Sequence, residues 1–235
     1  GFAYTKGQFT QIDAPGSYYT SANGISPNGD IIGWYRVDPL VDPLHIRKGY
    51  VLSQGNFTIL AIPGYERTYA TSVNAKREVV GYCRHDPDSP YRAFTWLKGE
   101  FSIFDVPGAT FSRLDGINDQ GDVIGDYFDE LGDHYGFIRS KDGTFTTLNV
   151  TGSLGANGQS LTNSGIAVGM CWVGPDVDHQ IVMGFILTAA GYTKVQVPGS
   201  PDTEFFCISN NGTITGTYLG GDGFYHGLIG TPARH

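Results

Sequence analysis

A chain of 235 residues with a formal charge of −8 and only 16% charged residues has little to offer a phosphate backbone, and no window concentrates Lys or Arg, which argues against nucleic acid as a partner. Glycine numbers 34 and Tyr and Phe 14 each, the makeup of short aromatic strands joined by tight turns; no stretch reads as a long amphipathic helix or as an apolar run long enough to span a bilayer. Cys83, Cys171 and Cys207 lack CxxC or His-Cys spacing, which leaves neither a disulfide framework nor a zinc signature and predicts buried thiols.

In chain order the same elements recur. The first repeat opens on Gly1-Phe2, runs through FTQIDAPG at 9–16 to an apolar position at Ile25, and ends in DIIGWY at 30–35. The second carries Gly49-Tyr50, FTILAIPG, Val73 and EVVGYC; the third Ala93-Phe94, FSIFDVPG, Ile117 and DVIGDY. The fourth carries Gly136-Phe137, FTTLNVTG, Leu161 and IAVGMC; the fifth Gly184-Phe185, YTKVQVPG, Ile208 and TITGTY. Each repeat thus supplies four short strands of period two with Gly, Pro or Asn at the joints. Four strands every 43 to 48 residues predict an all-β, five-bladed β-propeller of four-stranded antiparallel blades, one domain over 1–235. The repeats fall at about 1–48, 49–92, 93–135, 136–183 and 184–226, with a closing strand at 227–235. HGLIGT at 226–231 duplicates Gly1 to Thr5, so the last blade is expected to close with strands from both termini.

Phe101 to Gly108, and Gly116-Ile117-Asn118 through Gly125 and Tyr127, match residue by residue the F-T-x-x-D-x-P-G and G-I-N-x-x-G-x-I-V-G-x-Y segments of the HAF-type repeats of bacterial extracellular proteins. The chain resembles that family along its whole length. It departs where Ala75-Lys76-Arg77 replaces the glycine turn and where Thr151 takes the proline position. The resemblance implies a propeller and a secreted or extracellular location, with no single activity attached. Gly1 already lies inside a repeat, which suggests that a leader was removed.

Positions that agree among the copies serve the blade, and those that differ can serve a ligand. Two residues before the apolar anchor stand Asn23, Thr71, Asp115, Gln159 and Phe206; four before it stand Ser21, Tyr69, Arg113, Asn157 and Glu204. Period-two alternation puts both series on the anchors' face unless a bulge intervenes. Asp115 and Glu204 are therefore the candidate acid and base, Arg113 an anion or oxyanion binder and Tyr69 an orienting phenol, a set suited to acid–base cleavage of a glycan or small oxygenated substrate by a hydrolase or lyase. The alternative is a noncatalytic carbohydrate-binding or surface-interaction propeller. Directly after the second-strand glycine come Trp34, Tyr82, Asp126, Met170 and Thr217; Trp34 and Tyr82 can stack on a sugar. With Asn23, Gln159 and Asp126 they complete the expected binding set, and the same residues equally suit packing between blades.

The longest loops separate Gly33 from Gly49, by 16 residues, and Gly169 from Gly184, by 15, against 11 or 12 elsewhere, which marks the binding face. Histidines fall one per repeat in these loops, at His45, His85, His134, His179 and His226. The third strand lies about 10 Å outward from the first, too far for five histidines to share one ion at Zn–N distances near 2 Å. Only His45, His179 and the His85-Asp86 pair can reach inward, as substrate contacts or, less readily, metal ligands. No organic cofactor is called for. Asp13 and Asp105, in the D-x-P-G turns, are expected to accept backbone hydrogen bonds.

Overall fold

The computed structural model describes residues 1–38 and 46–232, and the regular structure among them is all β-strand. It divides into two compact units, Gly1–Pro107 with Phe111–Leu114, and Gly108–Thr110 with the chain from Asp115 onward.

In the first unit, β1 (Phe2–Thr5) and β2 (Gln8–Gln11) form a hairpin. Then come two antiparallel sheets of four strands: β3 (Ser17–Ile25), β4 (Ile31–Val37), β5 (Arg47–Ser53), β6 (Asn56–Leu60), and β7 (Arg67–Val73), β8 (Val79–Arg84), β9 (Arg92–Leu97), β10 (Glu100–Phe104). They join through one parallel pair, Arg47 beside Arg67. Three of the hairpins turn on an x-Gly pair with both residues at positive φ: Lys6-Gly7, Gln54-Gly55 and Lys98-Gly99. Such two-residue turns match the twist of the flanking strands, and glycine adopts the second position without strain.

Farther along the chain, β11 (Ala109–Ile117), β12 (Val123–Asp129), β13 (His134–Arg139) and β14 (Phe145–Leu148) form a sheet in chain order, as do β15 (Gly155–Leu161), β16 (Ala167–Val173), β17 (Ile181–Thr188) and β18 (Gly191–Val195). The last sheet has three strands, β19 (Thr203–Ile208), β20 (Ile214–Leu219) and β21 (Tyr225–Gly230). Both copies of the duplicated strand are ordered: β1 pairs with β2, and β21 takes third place beside β20.

The recurring Gly/Ala-aromatic pair now has a cause. Tyr50, Phe94, Phe137 and Phe185 stand directly across from Gly33, Gly81, Gly125 and Gly169 of the neighbouring strand, so each ring lies over a residue with no side chain and is almost wholly buried. Tyr50 packs with Ile12, Ala14 and Tyr35, Phe94 with Ile62 and Cys83, and Phe185 with Ile124, Leu148, Leu161, Ala167 and Cys171. Each large apolar side chain so buried contributes about 1.5–3 kcal/mol.

The expectation of three buried thiols holds for two. Cys83 and Cys171 are inaccessible, and burial pushes them up to about 12 and about 11, whereas Cys207 follows an irregularity in β19 that leaves it exposed. Iodoacetamide should therefore alkylate one thiol per native chain and all three after denaturation, countable by intact mass. Labelling of Cys83 in the native protein would contradict this packing.

Candidate functional site

The first strand of each repeat is where the orientation was open, and a bulge decides it. The register shifts between Ala22 and Gly24, Ala70 and Ser72, Gly158 and Ser160, and Phe205 and Cys207. The extra residue is always the one two before the anchor: Asn23, Thr71, Gln159 and Phe206. Beyond the bulge the parity changes. Tyr69 stands across from Tyr82 and Val73 across from Val79; those partners are an odd number of residues apart and point to opposite faces. The residues four before the anchor thus leave the anchors' face, contrary to simple alternation, and meet the variable residues of the second strand: Ser21 faces Trp34, Tyr69 faces Tyr82, Asn157 faces Met170 and Glu204 faces Thr217.

The bulge also dictates the second-strand glycine. A Cβ on Gly33, Gly81, Gly169 or Gly216 would lie 1.9–2.0 Å from the carbonyl oxygen of Ser21, Tyr69, Asn157 or Glu204 respectively. Two of the side chains at the bulge turn to the next repeat. Asn23 donates to the Ala70 carbonyl at 3.0 Å, and Thr71 donates to Leu114 at 2.7 Å. Asn23, expected as a ligand contact, is thereby engaged in holding two repeats together. Gln159 donates to Asn157 Oδ1 at 2.8 Å.

In the first unit the bulges bring two rows of side chains to one face. The deeper row is aromatic. Tyr69 is buried and stacks on Tyr82 at 4.7 Å between centroids, meets Trp34 edge-on at 5.5 Å and touches Tyr91 at 5.8 Å; Tyr19 stacks on the Trp34 ring at 5.2 Å. Trp34 and Tyr82, expected to form a stacking platform, are joined through Tyr69 as the ring between them. Small partners, Gly49 beside Trp34 and Ala93 beside Tyr82, leave room for these rings.

Two residues farther along each strand lies a second row. Arg36 faces Arg47, Arg47 faces Arg67, and Arg67 faces Arg84, one arginine on each of four adjacent strands. The Arg36 guanidinium sits 5.4 Å from the Tyr19 centroid, Arg47 sits 5.1 Å from Trp34 and 5.5 Å from Tyr69, and Arg84 sits 4.7 Å from Tyr91. Arg47 also donates to the Tyr69 hydroxyl. Cations over aromatic faces are attracted by the ring quadrupole. Among the described residues no ion pair joins these four arginines to a carboxylate. The contrast among the repeats at Trp34, Tyr69 and Tyr82 does not by itself mark this row, although two residues outward from them stand Arg36, Arg67 and Arg84.

The other expected residues have their own surroundings. Arg113 and Asp115 are half-buried on β11. Glu204 accepts from Thr217 at 3.4 Å, and burial, with the Asp202 charge behind it, raises it above the ordinary carboxylate range. Asp202 in turn accepts from the Tyr225 hydroxyl. Asp126 is buried 2.5 Å from His134 Nε2, and that imidazole is stacked on Phe128 at 4.3 Å and tilted against Trp172 at 4.9 Å. His85 contacts the Gly64 carbonyl at 2.6 Å and stacks on Tyr65; exposed His179 meets Asp176 at 2.8 Å. His45 lies outside the described residues. Among the described residues no three His, Cys, Asp or Glu side chains gather as a metal site. Asp105, expected to cap its own turn, is instead held bidentately by Arg92, both contacts 2.7 Å.

No family model and no curated protein matches the sequence. Among solved structures the chain is similar to AofleA from Arthrobotrys oligospora, a β-propeller, in a mutant with three arginines changed to alanine. The TM-score is 0.54 over 96% of this chain and 74% of that one, at 13% identity. The likeness is one of fold: an all-β arrangement of antiparallel sheets of about four strands matching a propeller.

Proposed function

We propose that the protein is a noncatalytic carbohydrate-binding module on a five-bladed propeller. The observation that carries the reading is the aromatic row Trp34, Tyr69 and Tyr82, walled by Arg47. Pyranose rings present apolar C–H faces that stack on aromatic side chains, while hydroxyls accept from fixed donors. The resemblance to extracellular repeats fits a secreted protein that meets glycans outside the cell.

On a glycan array, Trp34→Ala and Tyr82→Ala should each weaken binding about tenfold, the loss of roughly 1.4 kcal/mol of stacking. Unchanged binding in both variants would sink the reading. A second reading, acid–base cleavage with Glu204 as one member of the acid and base pair, draws on the raised Glu204 beside Thr217. Turnover of any bound glycan that disappears in Glu204→Gln would favour it over simple binding.

A further inference from the structure

We propose that the ligand of this face is an acidic glycan, one carrying carboxylate or sulfate groups, bound along the row Arg36, Arg47, Arg67 and Arg84; the proposal rests on the carbohydrate reading. Like charges directly across a sheet destabilise it, yet here four arginines follow one another on adjacent strands. At the usual strand spacing the row spans about 14 Å across its three intervals.

The same unit shows what a structural arginine looks like. Arg77 is bidentate on Asp30, and Arg92 is bidentate on Asp105. Among the described residues the row has no such carboxylates, and the Nε atoms of its four arginines are buried without an acceptor there. Folding therefore holds four guanidiniums partly desolvated, three of them above aromatic rings, an arrangement that raises the energy of the empty state and lowers it when anions arrive. Arginine suits carboxylate and sulfate through its fork of parallel donors, and its charge is permanent. An oligosaccharide with an anionic group on successive residues can stack its rings on Trp34 and Tyr82 and set those groups against the arginines. Nucleic acid offers a similar charge spacing, but the formal charge of −8 opposes an extended phosphate contact beyond the row.

The test uses the full chain and three probes at 50 mM and 500 mM NaCl: an oligogalacturonate, its fully methyl-esterified neutral counterpart, and single-stranded DNA of equal charge. The acidic oligosaccharide should bind at least about tenfold tighter than the neutral one at low salt and lose most of that advantage at high salt. Arg67→Gln combined with Arg84→Gln should abolish the preference while neutral binding through Trp34 and Tyr82 persists. The comparison on the unmodified protein stands even where the double variant folds poorly. Equal, salt-insensitive binding of the acidic and neutral sugars would overturn the acidic assignment and leave the carbohydrate reading intact. Binding of neither sugar would overturn the carbohydrate reading itself. DNA bound as tightly as the oligogalacturonate would show that the row selects charge without a glycan.

Discussion

Gly81→Ala is expected to cost about 3 kcal/mol or more of stability, although it adds a single methyl group. That methyl would stand 1.9 Å from the Tyr69 carbonyl oxygen and 3.1 Å from Cε1 of buried Phe94. The first obstacle is backbone, fixed by the bulge at Thr71, and no flexible side chain can yield; relief requires shifting β7 or opening its pairing with β8. For a chain of this length the loss corresponds to roughly 6–12 °C in the thermal midpoint. Gly227→Ala is the control, because a Cβ there meets nothing within 4 Å, and it should stay within about 0.5 kcal/mol of the parent. Equal effects of the two substitutions would mean that the bulge is not where the pairing puts it. Since Tyr69 carries the obstructing carbonyl, Gly81→Ala should also disturb the aromatic row and weaken ligand binding in whatever fraction remains folded.

The second large effect is expected at Arg77. In the other repeats the same turn position belongs to Gly29, Gly121, Gly165 or Gly212, at φ between 82° and 95°; Arg77 adopts φ 62° and bears the strain of a side chain there. Its return is the ion pair across to the preceding repeat, with contacts of 2.8 and 3.0 Å to Asp30 and a further 2.8 Å bond to Ser53. Burial pulls the Asp30 carboxyl upward, but the Arg77 guanidinium and the hydroxyls of Ser53 and Ser26 outweigh it and hold Asp30 below the ordinary 3.8. Arg77→Ala leaves a buried carboxylate without its cation and keeps the unfavourable φ, at a cost of about 2–3 kcal/mol, moderated because Arg77 itself is half exposed. Arg77→Gly should recover roughly 1 kcal/mol of that by removing the strain.

The pH dependence of that loss has a definite sign. A depressed carboxylate stabilises the fold above its unfolded value of 3.8, and this contribution fades as pH falls through the lower folded value. Urea midpoints of parent and Arg77→Ala should therefore differ most near neutrality and converge in acid. A gap that widened on acidification would show that Asp30 is not the group responsible.

The all-β character, the antiparallel sheets of about four strands and the recurring glycines and aromatics can be read from the sequence because the repeats agree there, and agreement among copies reports on the frame. The bulge could not be read. Nothing in Asn23, Thr71, Gln159 and Phe206, four chemically different residues, announces a shared irregularity, and yet it moves Tyr69 and Glu204 off the face that alternation assigns them. Trp34 and Tyr82 were visible as variable aromatics, but their joining through Tyr69 depends on spacing between neighbouring sheets that no single repeat encodes. The arginine row is not legible in the sequence for a similar reason: it crosses from β5 to β7 through one parallel pair, and sequence periodicity is silent about contacts of that kind.

Several of the ties between successive repeats share a property with evolutionary weight. Asn23 and Thr71 reach the main-chain carbonyls of Ala70 and Leu114, Asn28 reaches that of Ala75, Asn118 that of Thr162 and Gln120 that of Asn163. A carbonyl is present whatever residue bears it. After duplication, each copy could change its side chains without forfeiting its neighbour's grip, so one pair of repeats was free to accumulate arginine and aromatic residues while the others drifted toward acids, histidine and methionine.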